Sequence, residues 1–529
     1  MRYNPQFAAS AIALFGIGLS QSAPRQVAII GAGAAGSSAA YHLQSFAAEA
    51  GVRVNVTIFE KENRIGGRTL TVNPFGNRSQ PVELGASIFV EANQIMYGAV
   101  QEFNMSLEVP DPALEPTMGI WDGDRFVLTI DERHPSWWNG LKIVLRYGPH
   151  AVQRTTDMVS NILGKFLPIY QAPFFPFRSL TQVVDDLGLD FLTSITGQKL
   201  LDANNINQDF GQHIVQASTR VNYASNIANL QGLTTAVSLA AAGSMAVQGG
   251  NWKIFTNMVE KSGAVVALNT TVTGLEFHNG GPKYTLLTSS GSSSMAYPVA
   301  FDHVILASPY QFSGISAATG VLRRPIEKVP YVRLHVTLFA STRRLYPGYF
   351  QYPNSSTMPR FILTTLSKTD TPNSGPQGVG KAGFFSINIV RTAVNPATQR
   401  SEFVYKIFSP EPITPQFLSS LLGAAVPPTF TGAGSPISWY YPHVFDSYPA
   451  PPPRTTFQDP IVGHGIYYTS GIETLASAME MSALMGKNVA RVLVEDIVAS
   501  TSALMLIQSD ENSMEGQRYG DRKRTKTAG

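Results

Sequence analysis

The chain is 529 residues long, 44% hydrophobic and 14% charged, with a formal net charge of +3 and no cysteine. That length is too great for one hydrophobic core, so two intertwined domains are expected. The cations are dispersed rather than striped, which leaves nucleic-acid binding unsupported, and the missing thiols exclude disulfide staples.

At the amino end, Arg2 precedes the apolar run Phe7 to Leu19 and the small residues Ser20-Gln21-Ser22. This reads as a secretory signal over 1–23, too short for a comfortable membrane span, with a retained signal anchor as the rival reading. The expected location is the secretory pathway, ending in a lysosome, a vacuole or the extracellular space. Five N-x-S/T sequons, at Asn55, Asn77, Asn104, Asn269 and Asn354, are compatible with passage through a lumen. Asn55 falls inside one predicted strand and Asn269 ends another, so both are poor acceptors.

The first strong motif is Val27 to Gly36, an apolar strand ending on G-x-G-x-x-G. Gly31 permits the sharp turn, Gly33 lets a phosphate approach the backbone, and Gly36 lets the following helix pack on the strand. The helix N-terminus then offers free N–H groups to a diphosphate. A second strand, Val54 to Phe59, delivers Glu60 as the acid for a ribose hydroxyl pair, twenty-four positions after Gly36. The turn Arg64-Ile65-Gly66-Gly67-Arg68 follows, with paired glycines for a second backbone approach and Arg68 to neutralise charge or line the approach to a flavin. Together these point to FAD rather than NAD.

A largely helical stretch comes next, with Leu163, Phe166, Leu167, Ile169 and Tyr170 at apolar spacing and no metal-ligand spacing. Phe174, Phe175 and Phe177 alternate with Pro173 and Pro176 in a rigid aromatic loop. This loop plugs the core or, on the sharper reading, borders an apolar tunnel or touches a membrane. Gly249-Gly250-Asn251-Trp252 opens an amphipathic helix, followed by the run Val265 to Val272. Phe301 to Pro309 reads as a buried parallel strand leaving the sheet near the cofactor. Strand-like runs Val332 to Ala340 and Phe403 to Ile407 suggest a substrate-domain sheet. Beyond Ile466 to Glu473, a helix starting near Ser477 would aim its positive end at a flavin pyrimidine. The apolar run Val489 to Ile507 carries Arg491, Glu495 and Asp496 and reads as a packed helix, not an anchor. After it, residues 508–529 read as a disordered polar tail.

The Glu60 and Gly66-Gly67-Arg68 pairing resembles the FAD-dependent amine oxidases. A narrower resemblance, over about Arg25 to Leu493, is to the prenylcysteine oxidase (prenylcysteine lyase) family. It is carried by Trp137-Trp138 with Arg146-Tyr147-Gly148, Arg220-Val221-Asn222-Tyr223, Ala236 to Leu239, Gly249-Gly250-Asn251, Tyr405 to Ser409, Tyr441-Pro442-His443 and Gly471 to Ala483. The resemblance implies an α/β fold, with a discontinuous Rossmann-like FAD-binding domain and a second α+β substrate domain of mixed sheet and helices. The expected division is 24–115, 246–312 and 441–507 for the FAD domain, against a helical 116–245 and a sheet over 313–440 for the substrate domain. Without cysteine, no cysteinyl flavin is available.

The reaction implied is oxidative cleavage of S-farnesyl- or S-geranylgeranyl-cysteine by O2 and water to cysteine, a prenyl aldehyde and hydrogen peroxide. A flavin oxidase needs orientation, a dry cavity and charge stabilisation more than a catalytic triad. The candidate cofactor-binding residues are Gly31, Gly33, Ala34, Ala35, Gly36, Glu60, Lys61, Gly67, Arg68, Gly85, Ala86, Ser87, Val272, Gly471, Ala478 and Met479. Glu473 lies in the same flavin-proximal block. Arg220, as anchor for the cysteine carboxylate, His443, as a base or a core residue, and Glu480, as a structural or acid–base group at a helix start, are the candidate catalytic residues. Two other readings stay open: an FAD-dependent amine oxidase on an apolar amine, and a secreted FAD-containing lipid-binding protein without turnover. A peripheral membrane contact is the remaining partner expectation.

Overall fold

A computed structural model describes residues 23–526, except 134–135, 241–242, 291–293, 354–355 and 451; for 136–138 and 504–526 it describes the backbone alone. The expected signal over 1–23 and the sequon at Asn354 thus lie essentially outside the described residues. Strand β1 (Arg25–Ile30), helix α1 (Ala34–Glu49) and strand β2 (Val54–Phe59) form the first crossover, with β1 and β2 parallel and in register from Arg25 with Val54 to Ile30 with Phe59. Val27 to Ile30 are all buried, because helices or a second sheet cover both faces of a parallel sheet.

The sheet built on this unit has six strands, in the order Ile461–Gly463, Ile466–Tyr468, His303–Leu306, β1, β2, Val265–Ala267. Every neighbouring pair is parallel except the first. Three separated stretches of chain therefore make one Rossmann-like unit, as expected. Helix α1 lies against the last helix, Met479–Lys526, closely enough that a Cβ on Gly486 would stand 2.1 Å from the Ala35 carbonyl oxygen.

The run Val265 to Val272 does not act as one element. Val265–Ala267 pairs with β2, whereas Thr271–Phe277 begins a separate four-stranded sheet. Asn269, at φ 50°, makes the break, and the Asn269 and Thr270 amides donate to the carbonyls of Glu62 and Glu60.

The substrate-side sheet has seven strands, in the order Trp439–Pro449, Tyr331–Ser341, Ser401–Ser409, Ser386–Val394, Phe361–Thr364, Thr117–Trp121, Phe126–Asp131. Two expected boundaries shift accordingly. The segment 116–245 opens with two strands of this sheet before turning helical, and Trp439–Pro449 belongs here, so the third FAD segment starts after it rather than at 441. Over 508–526, where a disordered polar tail is expected, the backbone of the last helix continues through Lys526. Nothing after Pro460 is proline, and Glu, Gln, Lys, Arg and Met favour continued helix. Phe177 is buried, and Phe174 and Phe175 pack against the same core. The aromatic loop is thus a core plug, and the membrane reading of it is not supported.

Candidate functional site

The sequence turns β1 into α1 through Gly31, whose φ of 107° is costly for any residue with a Cβ. Beside that turn lies a cavity of about 680 Å³. Helix α1 begins on its wall at Ala34, with no side-chain cap and no acid in its first turn, so its leading N–H groups are left for a ligand. Gly33 and Ala35 line the cavity beside it. The second glycine turn closes on the first: Gly67, at φ 57°, would carry a Cβ only 3.1 Å from the Gly33 Cα. Arg64 holds this turn by donating to the Gly67 carbonyl at 2.8 Å.

Glu60 leaves the end of β2 into the same wall and is 6% exposed. One of its carboxylate oxygens accepts the Ala32 N–H at 2.8 Å, the other the Glu62 N–H at 2.9 Å. Those bonds fix its orientation and still leave lone pairs for hydroxyl donors. Lys61, Gly85, Ala86 and Val272 also line the cavity. So do Ala478 and Met479, where the last helix starts, so two helix N-termini open onto one space.

Arg68 joins the two units. It donates to the Ser447 carbonyl on the seven-stranded sheet at 2.7 Å and pairs with Glu473 of the Rossmann-like unit at 2.7 Å. Burial alone would lower the guanidinium, but the Glu473 carboxylate holds it above its ordinary value.

The far wall is one face of the seven-stranded sheet. His443, Val336 and Phe408 are register partners on three adjacent strands, and Leu334 faces Phe445 one step along. Partners in register share a face, so these side chains, with Tyr441, form an apolar and aromatic row on the cavity. Sequence reasoning missed Leu334, Val336, Phe408 and Phe445; for Leu334 and Val336 the signal was the period-2 alternation from Val332 to Leu338. His443 is half-buried in this row. Burial lowers its pKa, and Arg64 lowers it further.

Several expected site residues lie elsewhere. Arg220 is 0% exposed and does not line the cavity. Its guanidinium donates to Thr364 Oγ1 and Asn226 Oδ1 and to the carbonyls of Gly378, Val379 and Phe384. It is a cross-link between the helical layer and the sheet, and the carboxylate-anchor expectation is withdrawn. Glu480 is 2% exposed; it accepts the Ile95 and Met96 N–H groups at 2.9 Å each, in the first turn of helix Gln94–Glu102. It caps that helix rather than touching the cavity. Ser87 is held between the Gly85 carbonyl and Lys406 Nζ, off the wall. Gly471 packs under Gln458 instead, where a Cβ would stand 2.5 Å from a carbonyl oxygen. Gly36 is off the wall too, packed on Gly31 and Ala307, which is the helix-to-strand role its spacing suggests.

The family model described as prenylcysteine lyase matches residues 130–504, and one described as an NAD(P)-binding Rossmann-like domain matches 29–103. Farnesylcysteine lyase of Arabidopsis thaliana is 27% identical, the match covering 95% of this chain and 94% of that protein. Prenylcysteine oxidase 1 of Bos taurus is 29% identical, with 88% of each chain covered. Among solved structures, cyclohexylamine oxidase from Brevibacterium oxydans superposes with a TM-score of 0.54 at 17% identity, covering 90% of this chain and all of that one. Putrescine oxidase bound to putrescine does so with 0.53 at 14%, covering 90% and 99%. These two establish a shared fold. With the family model matching residues 130–504, well over half of its length, the chain belongs to the prenylcysteine lyase family.

Proposed function

We propose that this protein is an FAD-dependent prenylcysteine oxidase, converting S-prenyl-L-cysteine, O2 and water to cysteine, a prenyl aldehyde and hydrogen peroxide. The observation that carries the reading is the continuity of the cavity, from two glycine turns and the uncapped start of α1 at one end to an apolar and aromatic sheet face at the other. A dinucleotide and a long hydrocarbon chain need those two surfaces side by side.

The residues fit the cofactor. The first-turn N–H groups of α1, approached closely only because Gly33 and Gly67 lack side chains, would hold the diphosphate. Glu60 would take the adenosine ribose, and the start of the last helix at Met479 would favour negative charge on the flavin. Bound FAD supplies the two-electron acceptor that O2 re-oxidises. The protein's own part is positioning and dryness: Leu334, Val336, Phe408, Tyr441 and Phe445 present no charge to a prenyl chain and exclude water around it. The single histidine of the wall, His443, is mainly neutral near pH 7 and can accept a proton from the water that adds to the carbon beside sulfur.

The purified protein should be yellow. Anaerobic S-farnesyl-L-cysteine should bleach it, and readmitted air should restore the colour with stoichiometric peroxide. Bleaching by apolar amines but not by farnesylcysteine would instead support the amine oxidase reading, and a colourless protein would remove both.

We further propose that the chain enters the secretory pathway through residues 1–23. Support comes from the positive, apolar and small-residue order of that segment, and from Asn104, an exposed sequon at the end of a helix. An amino terminus near Pro24 in secreted or lumenal protein, and a glycosidase-sensitive mass shift lost in Asn104→Gln, are the expected results.

A further inference from the structure

Helix Ser136–Tyr147 carries apolar residues on two faces. Tyr147 is 3% exposed and Ile143 packs beside it on the main core. On the opposite side Leu141, Val144 and Leu145, spaced i, i+3, i+4, are 40%, 39% and 77% exposed, and Val152 in the next helix is 44% exposed. Scattered exposed leucines are ordinary, but a helical stripe of them is not. Among the described side chains of this helix, Asn139 to Tyr147, none lines the cavity, so substrate binding does not account for the stripe.

The chain segment that carries the stripe is charged with one sign, and the acid that approaches it from a neighbouring element, Asp209, sits on the inner side by Tyr147 and His213. Lys142, Arg146 and Arg154 flank the stripe, and the sequence has no Asp or Glu between Arg133 and Asp157. Neither Lys142 nor Arg146 forms an ion pair among the described residues: Lys142 donates to the Thr129 carbonyl and Arg146 lies over the Tyr147 ring. An apolar stripe beside unpaired cations is the composition of a helix that lies in a membrane interface and meets anionic headgroups. Among the described residues no helix is long and apolar enough to cross a bilayer, so such a contact would lie on the surface rather than span it.

We propose that helix Ser136–Tyr147 docks this protein onto an anionic lipid surface, with Leu141, Val144 and Leu145 inserted and Lys142 and Arg146 at the headgroups. The proposal stands on the helix whatever the reaction proves to be. If the substrate is a prenylated amphiphile, the contact also brings the enzyme to the phase in which that substrate dissolves.

The test is co-sedimentation of the full chain with phosphatidylcholine vesicles, with and without phosphatidylserine. The wild-type protein should bind the mixed vesicles more tightly than the neutral ones and release with salt. Leu141→Ser with Leu145→Ser should weaken binding to both vesicle types by about tenfold or more, at an unchanged melting temperature. Lys142→Gln with Arg146→Gln should remove only the advantage of the anionic vesicles. Failure of the wild-type protein to bind, or equal binding by the leucine variant, would overturn the proposal. It would also be overturned if the wild-type protein ignored vesicles and the leucine variant sedimented as a smaller species, since the stripe would then join two copies of this chain.

Discussion

Glu60 and Arg220 show how differently two charged side chains can be used. Glu60 is pinned by two backbone N–H groups and still faces the cavity, so it orients a ligand as well as the turn. Glu60→Ala should lower FAD retention by about tenfold to a hundredfold, a loss on the scale of one or two charge-assisted hydrogen bonds, read by flavin absorbance after dialysis. Arg220 faces only protein. Arg220→Met would strip donors from three buried carbonyls, and the expected cost is about 3 kcal/mol or more of stability, seen in the melting temperature, with KM unchanged in the protein that folds. His443 is the residue for which kinetics decide. As an acceptor for the attacking water, His443→Gln should lower kcat by about a hundredfold with little change in KM; a rise in KM alone would make it only part of the wall.

At the scale of elements, the cap that Glu480 places on helix Gln94–Glu102 explains why a glutamate follows the flavin-facing start of the last helix. It connects two helices 384 and 385 positions apart in sequence, through bonds that no local pattern reveals. Glu480→Gln can accept only one of the two N–H groups and should cost about 1–3 kcal/mol, with kcat nearly intact in the folded fraction. Loss of turnover without loss of stability would return Glu480 to the chemistry. Strand register carries similar hidden information. The alternation of Val332 to Ala340 announces a half-buried strand, but only pairing with Phe408 and His443 shows which set of its residues reaches the cavity.

Across the whole molecule, two half-buried histidines couple the fold to pH. Burial pushes His42 in α1 and His303 in the central sheet each down to about 4 from the usual 6.5. The unfolded chain then binds more protons than the folded one through that window. Their stabilising contribution is complete above pH 6.5 and is lost as pH falls towards 4, on the order of a few kcal/mol in all. The melting temperature should drop across that range, and His42→Gln should flatten part of the drop. Acid loading is therefore a real demand on this fold if it resides in a lysosome or vacuole. The Arg68–Glu473 pair, which ties the Rossmann-like unit to the seven-stranded sheet through Ser447, is a second joint whose loss would loosen the two units at the cavity.

The dinucleotide half of the cavity was legible in the chain because its chemistry is local: Gly31, Gly33, Glu60, Gly67 and Arg68 lie within about forty residues and act through backbone turns and one strand end. The substrate half was not, because Leu334, Phe408 and Phe445 meet only when distant strands pair, and each taken singly is an ordinary core residue. The same limit explains the two misplaced catalytic residues. A distinctive motif around Arg220 or Glu480 marks an environment that needs that side chain, and only the folded neighbours decide whether the need is a ligand or a row of buried carbonyls and amides. Sequence alone determined the fold class and the cofactor end, through local turns and periodicity; the tertiary structure decided which charged residues touch the cavity, because long-range burial and hydrogen bonding set that.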